Sequence, residues 1–306
     1  MFGFILAGVA VVILASGIWL YTPDKSRATL EALYAAAPSQ FITVLGDRLH
    51  VRDTGPRDAP AVILLHGFGS SLHTWDDWAS ALETKFRVVR YDQPGFGLTG
   101  ADPSGSYTDQ RSMDVLAGLM DTLGIAKADI VGHSMGGRIA WRFAADYPDR
   151  VAKLVLIAPD GFASPGFEYG RAPDVPLMMR ALPYVLPGFM LKSSLEAGYG
   201  DPSAMTNAIF TRYRDMMLAP GVRHAILDRM AQNALVEPTA LLNRIKAPTL
   251  LMWGEKDGMV PIDNAADYQR VVTGAQLERF PGMGHLLMEE KPMQTVQSLM
   301  AFLSEP

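Results

Sequence analysis

The chain of 306 residues carries 27 Lys and Arg against 32 Asp and Glu, a net charge of −5, with 49% hydrophobic residues, 19% charged residues and no cysteine. This composition can bury a sizeable core and excludes a disordered chain. Without cysteine there is no disulfide, thiol catalysis or cysteine metal site, and without a basic patch nothing supports nucleic-acid binding.

Phe2 to Tyr21 is free of charge and, as a helix, would span roughly 30 Å, the thickness of bilayer hydrocarbon. We read residues 1–22 as a single-pass transmembrane anchor, with Trp19 and Tyr21 as interfacial aromatics. The alternative is a signal peptide cut near Ala15-Ser16-Gly17. Lys25 and Arg27, accompanied by Asp24, give only a thin charge signal for orientation. The expectation is a membrane-bound protein with its catalytic domain outside the cytoplasm, or a secreted one if the segment is cleaved. The remaining 280 or so residues suit one large α/β domain with an insertion, or two domains at most.

Residues 23–40 read as a linker helix with Leu30, Leu33 and Tyr34 on one side. Phe41 to Val44 and Leu49 to Val51 flank Gly46-Asp47, a hairpin pattern. Ala61 to Leu65 is a continuous apolar run of the buried parallel type. It leads into His66-Gly67-Phe68-Gly69, where glycines at a strand end let backbone N–H groups point into a cleft, as an oxyanion requires. Leu72 to Thr84 reads as a helix that packs Trp75 and Trp78 in the core, and Phe86 to Tyr91 as a strand ending in the turn cluster Asp92 to Gly97. Asp109 to Leu123 is helical, closed by Gly124.

The apolar run Ala128 to Val131 then enters Gly132-His133-Ser134-Met135-Gly136-Gly137, and a helical pattern leaves it through Asp146. A serine hydroxyl is a poor nucleophile and must be held out where a base can reach it. A sharp strand-to-helix turn does this, and glycines two residues to either side relieve the crowding. The bland alternative is a glycine-rich turn around a buried serine.

Ala152 to Ala158 is the next strand. Over residues 160–238 the rhythm changes: strand patterns vanish, prolines accumulate, and Met178, Met179, Met190, Met205, Met216, Met217 and Met230 appear. We read this as a helical cap, most of its methionines being the cap's own core. Alternation resumes with a strand from Pro248 to Trp253, the loop Gly254 to Pro261, a helix from Ile262 to Val271, a strand from Gln276 to Phe280, the loop Pro281 to His285 and one helix from Leu286 to Leu303.

Strands alternating with helices imply a mostly parallel sheet covered on both faces, with ligands bound at the carboxyl ends of its strands. Ser134, Asp257 and His285, in that chain order, all follow strands and so fall on that one edge. The motifs His66-Gly67-Phe68-Gly69, Pro94-Gly95-Phe96-Gly97, Gly132 to Gly137, Trp253 to Asp257 and Gly284-His285 resemble the α/β-hydrolase fold family, over Phe41 to the C-terminus. The resemblance implies a core of residues 41–159 and 239–306 around the 160–238 cap. It implies Ser134 as nucleophile, His285 as general base then acid, and Asp257 as the group orienting the imidazole, with the oxyanion held by the backbone N–H groups of Phe68 and Met135. His66, Gly67, Gly69, Gly132 and Gly136 shape the loop and the turn, and His133 is expected to face away from the cleft. Asp160 is the rival acid, since it follows the strand after the nucleophile. No His-x-x-x-His occurs and there is no cysteine, and no metal or cofactor is expected.

The first expectation for function is hydrolysis of an apolar ester, lipid, lactone or polyester through an acyl-enzyme. The alternative is carbon–carbon bond hydrolysis of ring-cleavage diketones. That subfamily shares the Ser-Met-Gly-Gly turn but usually carries a Gly-Pro-Gly loop where this chain has His66-Gly67-Phe68-Gly69. Dehalogenases and epoxide hydrolases need an aspartate at Ser134. A non-catalytic binding protein on the same fold is the reading from another class, and such relatives often lose a triad member.

Overall fold

A computed structural model describes residues 20–162 and 168–305. The transmembrane expectation is not upheld: among the described residues no helix is long and apolar enough to cross a membrane. Residues 1–19, Trp19 included, lie outside the described ones. What is described of the expected anchor packs on protein. Tyr21 forms an antiparallel bridge with Val185, and the Thr22 N–H donates to the Tyr184 carbonyl at 2.8 Å.

The charges that follow are docking groups, not an orientation signal. Asp24 receives the Arg223 guanidinium at 2.7 Å, Lys25 reaches Asp215 at 2.6 Å, and Arg27 donates to the Leu98 carbonyl at 3.0 Å. Helix α1 (Arg27–Tyr34) is capped by the Ser26 hydroxyl, which accepts from the Thr29 N–H, and it buries Leu30 completely. It is therefore a strap laid over the cap and core, where the sequence suggested a linker.

Strands β1 (Ser39–Val44) and β2 (Asp47–Thr54) form the expected hairpin. Its two-residue loop has positive φ at both Leu45 (48°) and Gly46 (91°), the turn that matches strand twist. Then follow β3 (Ala61–Leu65), a 3₁₀ turn over Leu72–Trp75, α2 (Asp76–Leu82), β4 (Arg87–Tyr91) and α3 (Asp109–Thr122). The Thr108 hydroxyl caps α3, and Gly124 ends it in a Schellman closure, with the Ile125 N–H on the Met120 carbonyl and its own on Asp121. Strand β5 (Ala128–His133), α4 (Met135–Asp146) and β6 (Val151–Ile157) come next.

The described part of residues 160–238 is built from a 3₁₀ turn over Leu177–Ala181 and from α5 (Gly188–Glu196), α6 (Asn207–Met217) and α7 (Val222–Gln232). The chain returns through α8 (Thr239–Leu242), β7 (Thr249–Gly254), α9 (Asn264–Val271), β8 (Gln276–Phe280), α10 (Leu287–Glu290) and α11 (Pro292–Ser304). The single C-terminal helix read from the sequence is thus two. Pro292 disfavours the helical region for the residue before it, and Lys291 sits at φ −141°, ψ 67°.

The sheet has eight strands in the order β1-β2-β4-β3-β5-β6-β7-β8, antiparallel at β1-β2 and β2-β4 and parallel elsewhere. Both faces are covered, which explains the continuous apolar runs. On β3, Ile63 and Leu65 enter one core with Trp141 and Phe143, while Val62 and Leu64 enter the other with Trp75, Trp78 and Leu299. Two packed faces around one rigid sheet fix the carboxyl edge where β3, β5, β7 and β8 deliver their loops.

Candidate active site

Ser134 links β5 to α4 at φ 53°, ψ −120°, a conformation rare for a residue with a side chain and of order 1–3 kcal/mol in strain. Three backbone hydrogen bonds hold it there. Its N–H donates to the Ile157 carbonyl (2.9 Å), and its carbonyl accepts from the N–H groups of Arg138 (3.0 Å) and Asp160 (3.1 Å). The glycines follow from the same crowding. A Cβ on Gly132 would stand 2.3 Å from the Gly136 carbonyl oxygen, and one on Gly136 would stand 2.3 Å from that of Leu65.

The loop after β3 comes against this turn: a Cβ on Gly67 would meet Ser134 Cβ at 3.2 Å. His66 is buried and braces the loop. Its Nε2 accepts from the Gln93 N–H (2.9 Å), so Nδ1 carries the proton and donates to the Gly67 carbonyl (2.8 Å). Burial holds its pKa below the usual imidazole value, in keeping with that neutral form. Gly69 takes φ 69°, as the turn requires. Phe68, Ser134 and Met135 stand together on the wall of one cavity of about 160 Å³, completed by Arg138, Asp160, Arg229, Met230 and Asn233.

Asp257 and His285, 28 residues apart in sequence, are brought into contact. His285 Nδ1 lies 2.7 Å from Asp257 Oδ2, and Asp257 Oδ1 accepts from the N–H groups of Met259 (2.8 Å) and Val260 (2.9 Å). Both residues are buried. The His133 ring packs 4.4 Å from that of His285, and its Nε2 is 3.0 Å from the His285 carbonyl oxygen. Burial, then the neighbouring His285, holds His133 well below the usual value, so it is a neutral spacer turned from the cavity. The rival acid Asp160 pairs with Arg138 at 2.6 Å. It makes no hydrogen bond or ion pair with His285, which is engaged by Asp257.

Two features escaped the sequence reading. One is the Asp92 hub behind the loop. Its carboxylate accepts from the N–H groups of Leu72 (2.7 Å) and Leu98 (2.7 Å) and meets His50 Nδ1 at 2.9 Å. Burial opposes its ionisation, but the charge and hydrogen bond of His50 outweigh that and hold the carboxyl below the usual range. The other is Arg229, buried on α7 and lining the cavity. The signal was present: Val222, Ala225, Ile226 and Arg229 share one helical stripe, so an arginine stands where the pattern calls for an apolar residue. Burial first, then Arg138, pulls its guanidinium down to about 10, which leaves it charged at neutral pH. Among the described residues no group of three or more His, Asp or Glu side chains could hold a metal ion.

A mostly parallel α/β sheet with a strained serine turn and an Asp–His pair on one edge defines a class of hydrolytic enzymes. The profile of the alpha/beta hydrolase fold family matches residues 60–292, and the chain belongs to that family. It is 32% identical over 292 residues to a 2-hydroxy-6-oxononadienedioate/2-hydroxy-6-oxononatrienedioate hydrolase of Paraburkholderia phymatum, covering 88% of this chain and 97% of that one. Among solved structures it is similar to a meta-cleavage product hydrolase from Pseudomonas fluorescens (TM-score 0.73, 26% identity, 86% and 97% covered). It is also similar to an enol-lactonase from Burkholderia xenovorans (TM-score 0.75, 25% identity, 87% and 100% covered). The chain is a hydrolase; the first two of these names stand beside the carbon–carbon alternative and the third, a lactonase, beside the ester or lactone reading put first from sequence.

Proposed function

We propose that this protein hydrolyses a carbon–carbon bond beside a ketone in a 2-hydroxy-6-oxo-dienoate type of ring-cleavage product, using Ser134, His285 and Asp257. The observation that carries the reading is the Asp257–His285 contact on the edge that presents Ser134, in a chain alike over nearly its whole length to hydrolases of such compounds. His285 takes the Ser134 proton as Oγ adds to the ketone, and the oxyanion is held by the N–H groups of Phe68 and Met135. The substrate reacts as its keto tautomer, in which the 2-hydroxyl proton has moved to the carbon beside the ketone. Collapse breaks the bond to that saturated carbon, and its electron pair passes through the C=C bond into the 2-keto oxygen as a dienolate, which the protonated His285 reprotonates. Water, deprotonated by His285, then releases the acid from Ser134. Asp257, fixed by two backbone N–H groups, keeps the His285 ring oriented and stabilises its cation.

A second reading is hydrolysis of an ester or enol lactone, in which an alkoxide or enolate leaves instead. It is favoured by Phe68 in the loop where ring-cleavage hydrolases usually carry Gly-Pro-Gly.

The test is to follow bleaching of a coloured ring-cleavage dienoate beside release of nitrophenol from a p-nitrophenyl ester series. We expect the dienoate to be the better substrate by at least about tenfold in kcat/KM, and Ser134→Ala to lose about 10³-fold or more. Ester turnover that exceeds dienoate turnover would transfer the assignment to the second reading. Activity retained in Ser134→Ala would remove the serine mechanism altogether.

A further inference from the structure

Four arginines are buried almost completely: Arg90, Arg138, Arg223 and Arg229. Three meet a carboxylate: Arg90 at Asp76 (2.5 Å), Arg138 at Asp160 (2.6 Å) and Asp109 (3.1 Å), and Arg223 at Asp24 (2.7 Å). Arg229 is the exception among the described residues. Its Nη1 donates to the Tyr107 carbonyl (3.3 Å) and its Nη2 to the Pro94 carbonyl (2.8 Å), while Nε has no partner. The rings of Phe96 and Tyr107 flank the guanidinium, their centroids 5.1 and 5.4 Å away. Ring faces and neutral carbonyls soften a dehydrated cation but do not neutralise it.

The surrounding charges leave it unbalanced. Asp109 is engaged by Arg138 and by Arg142 at 2.8 Å, and Asp160 by Arg138. Asp102, whose field also reaches Arg229, is held by Arg111 at 2.7 Å. Around Arg138 there are three guanidinium groups against two committed carboxylates, an excess of one positive charge. Arg229 lines the same cavity as Ser134, and Asn233, the residue that closes α7, lines it too. A buried guanidinium with an unpartnered N–H, on the wall of a concave site, is the group suited to receive a carboxylate.

We propose that Arg229, assisted by Asn233, is the anchor for a carboxylate of the substrate, so that the enzyme acts on acids bearing a negative charge at a distance from the carbonyl under attack. This rests on the Ser134-centred reading above and adds a specificity residue to it. Binding the carboxylate supplies the missing counter-charge, and only an anionic substrate gains it.

The test reads anion binding apart from turnover. Adipate, a six-carbon dicarboxylate, and neutral adipamide are compared for two effects on the full chain: the rise in melting temperature, and slowing of Ser134 labelling by a fluorophosphonate. Adipate at millimolar concentration is expected to raise the melting temperature of wild type and of Ser134→Ala and to slow labelling of wild type, with adipamide inert. Arg229→Gln is expected to lose at least about tenfold in adipate affinity, and Arg229→Lys to keep most of it. If Arg229→Gln does not fold, Asn233→Leu is measured in its place and is expected to weaken adipate severalfold. On a substrate pair, the monoacid ester and its neutral methyl ester, the same variants should raise KM severalfold more for the acid than for the neutral ester. Equal effects of adipate and adipamide on wild type, or undiminished adipate binding in a folded Arg229→Gln or Asn233→Leu, would overturn the assignment. If Ser134 resists labelling while adipate still stabilises through Arg229, the hydrolase mechanism fails and the anion site stands.

Discussion

At the scale of single residues, the site is a set of groups whose states are fixed by their immediate partners. Asp257 accepts two backbone N–H groups with one oxygen and faces His285 with the other. An amide in its place would present an N–H to one of these donors or to the ring and upset the tautomer. Asp257→Asn is therefore expected to lower kcat by about 10³–10⁴ with little change in KM, measured on whichever substrate the wild type turns over best. Asp129, on the strand that carries Ser134, illustrates the cost of a buried charge without a close cation. Burial pushes its carboxyl up to about 6, and the fields of Lys153 and Lys127 only partly offset this. The folded value lies above the ordinary unfolded one of about 3.9, so the native state holds the proton more tightly. The associated stability is present below about pH 4 and is lost as the pH rises to about 6. Asp129→Asn is expected to stabilise by of order 1–3 kcal/mol at pH 8 and to change little at pH 4, read from denaturant midpoints at the two pH values. An equal effect at both would show that packing, not charge, decides this position.

At the scale of elements, the serine turn works because β5, α4 and the loop after β3 approach more closely than side chains permit. Gly132→Ala places a methyl 2.3 Å from a backbone oxygen that cannot swing aside. It should destabilise by more than about 2 kcal/mol and abolish fluorophosphonate labelling of Ser134 even where the protein stays folded. Unchanged labelling would mean that the turn tolerates a wider geometry than its packing implies. The C-terminal helices make the same point about local rules. The apolar pattern from Leu286 to Leu303 runs on through the break, while Pro292 alone divides it, a local rule that overrides periodicity.

At the scale of the whole molecule, the N-terminal strap ties the cap to the core. Asp215, buried on α6, accepts Lys25 at 2.6 Å and the Tyr34 hydroxyl at 3.0 Å. Burial first, then that bond to Asp215, pushes the Tyr34 phenol up to about 12. Asp215→Ala should free residues 25–34, seen as amide exchange accelerated by at least about tenfold there, with exchange in β3, β5 and β6 unchanged. Exchange unaltered over α1 would show that Leu30 packing alone holds the strap.

How much of this was legible follows from the range of each interaction. The strands β3, β5 and β7 read directly as apolar runs because both sheet faces are buried. The serine turn read as Gly-x-Ser-x-Gly because the steric demand falls on residues two apart. The edge shared by Ser134, Asp257 and His285 followed from strand alternation alone. The docking of residues 21–27 did not follow, since hydropathy describes one segment and not what it meets: Tyr21 finds Val185 and Lys25 finds Asp215, partners more than 160 residues away. The state of Arg229 was likewise undecided. Its place on a buried stripe was written in the chain, but whether a carboxylate stands opposite depends on how α7, α4 and the turn after β4 assemble. The sequence by itself thus determined local backbone geometry and the placing of Ser134, Asp257 and His285 after strands of one sheet, which rest on local sterics and periodicity. Only the tertiary structure decided which charges are paired and which is left for a ligand, because pairing is settled by side chains that meet across the fold.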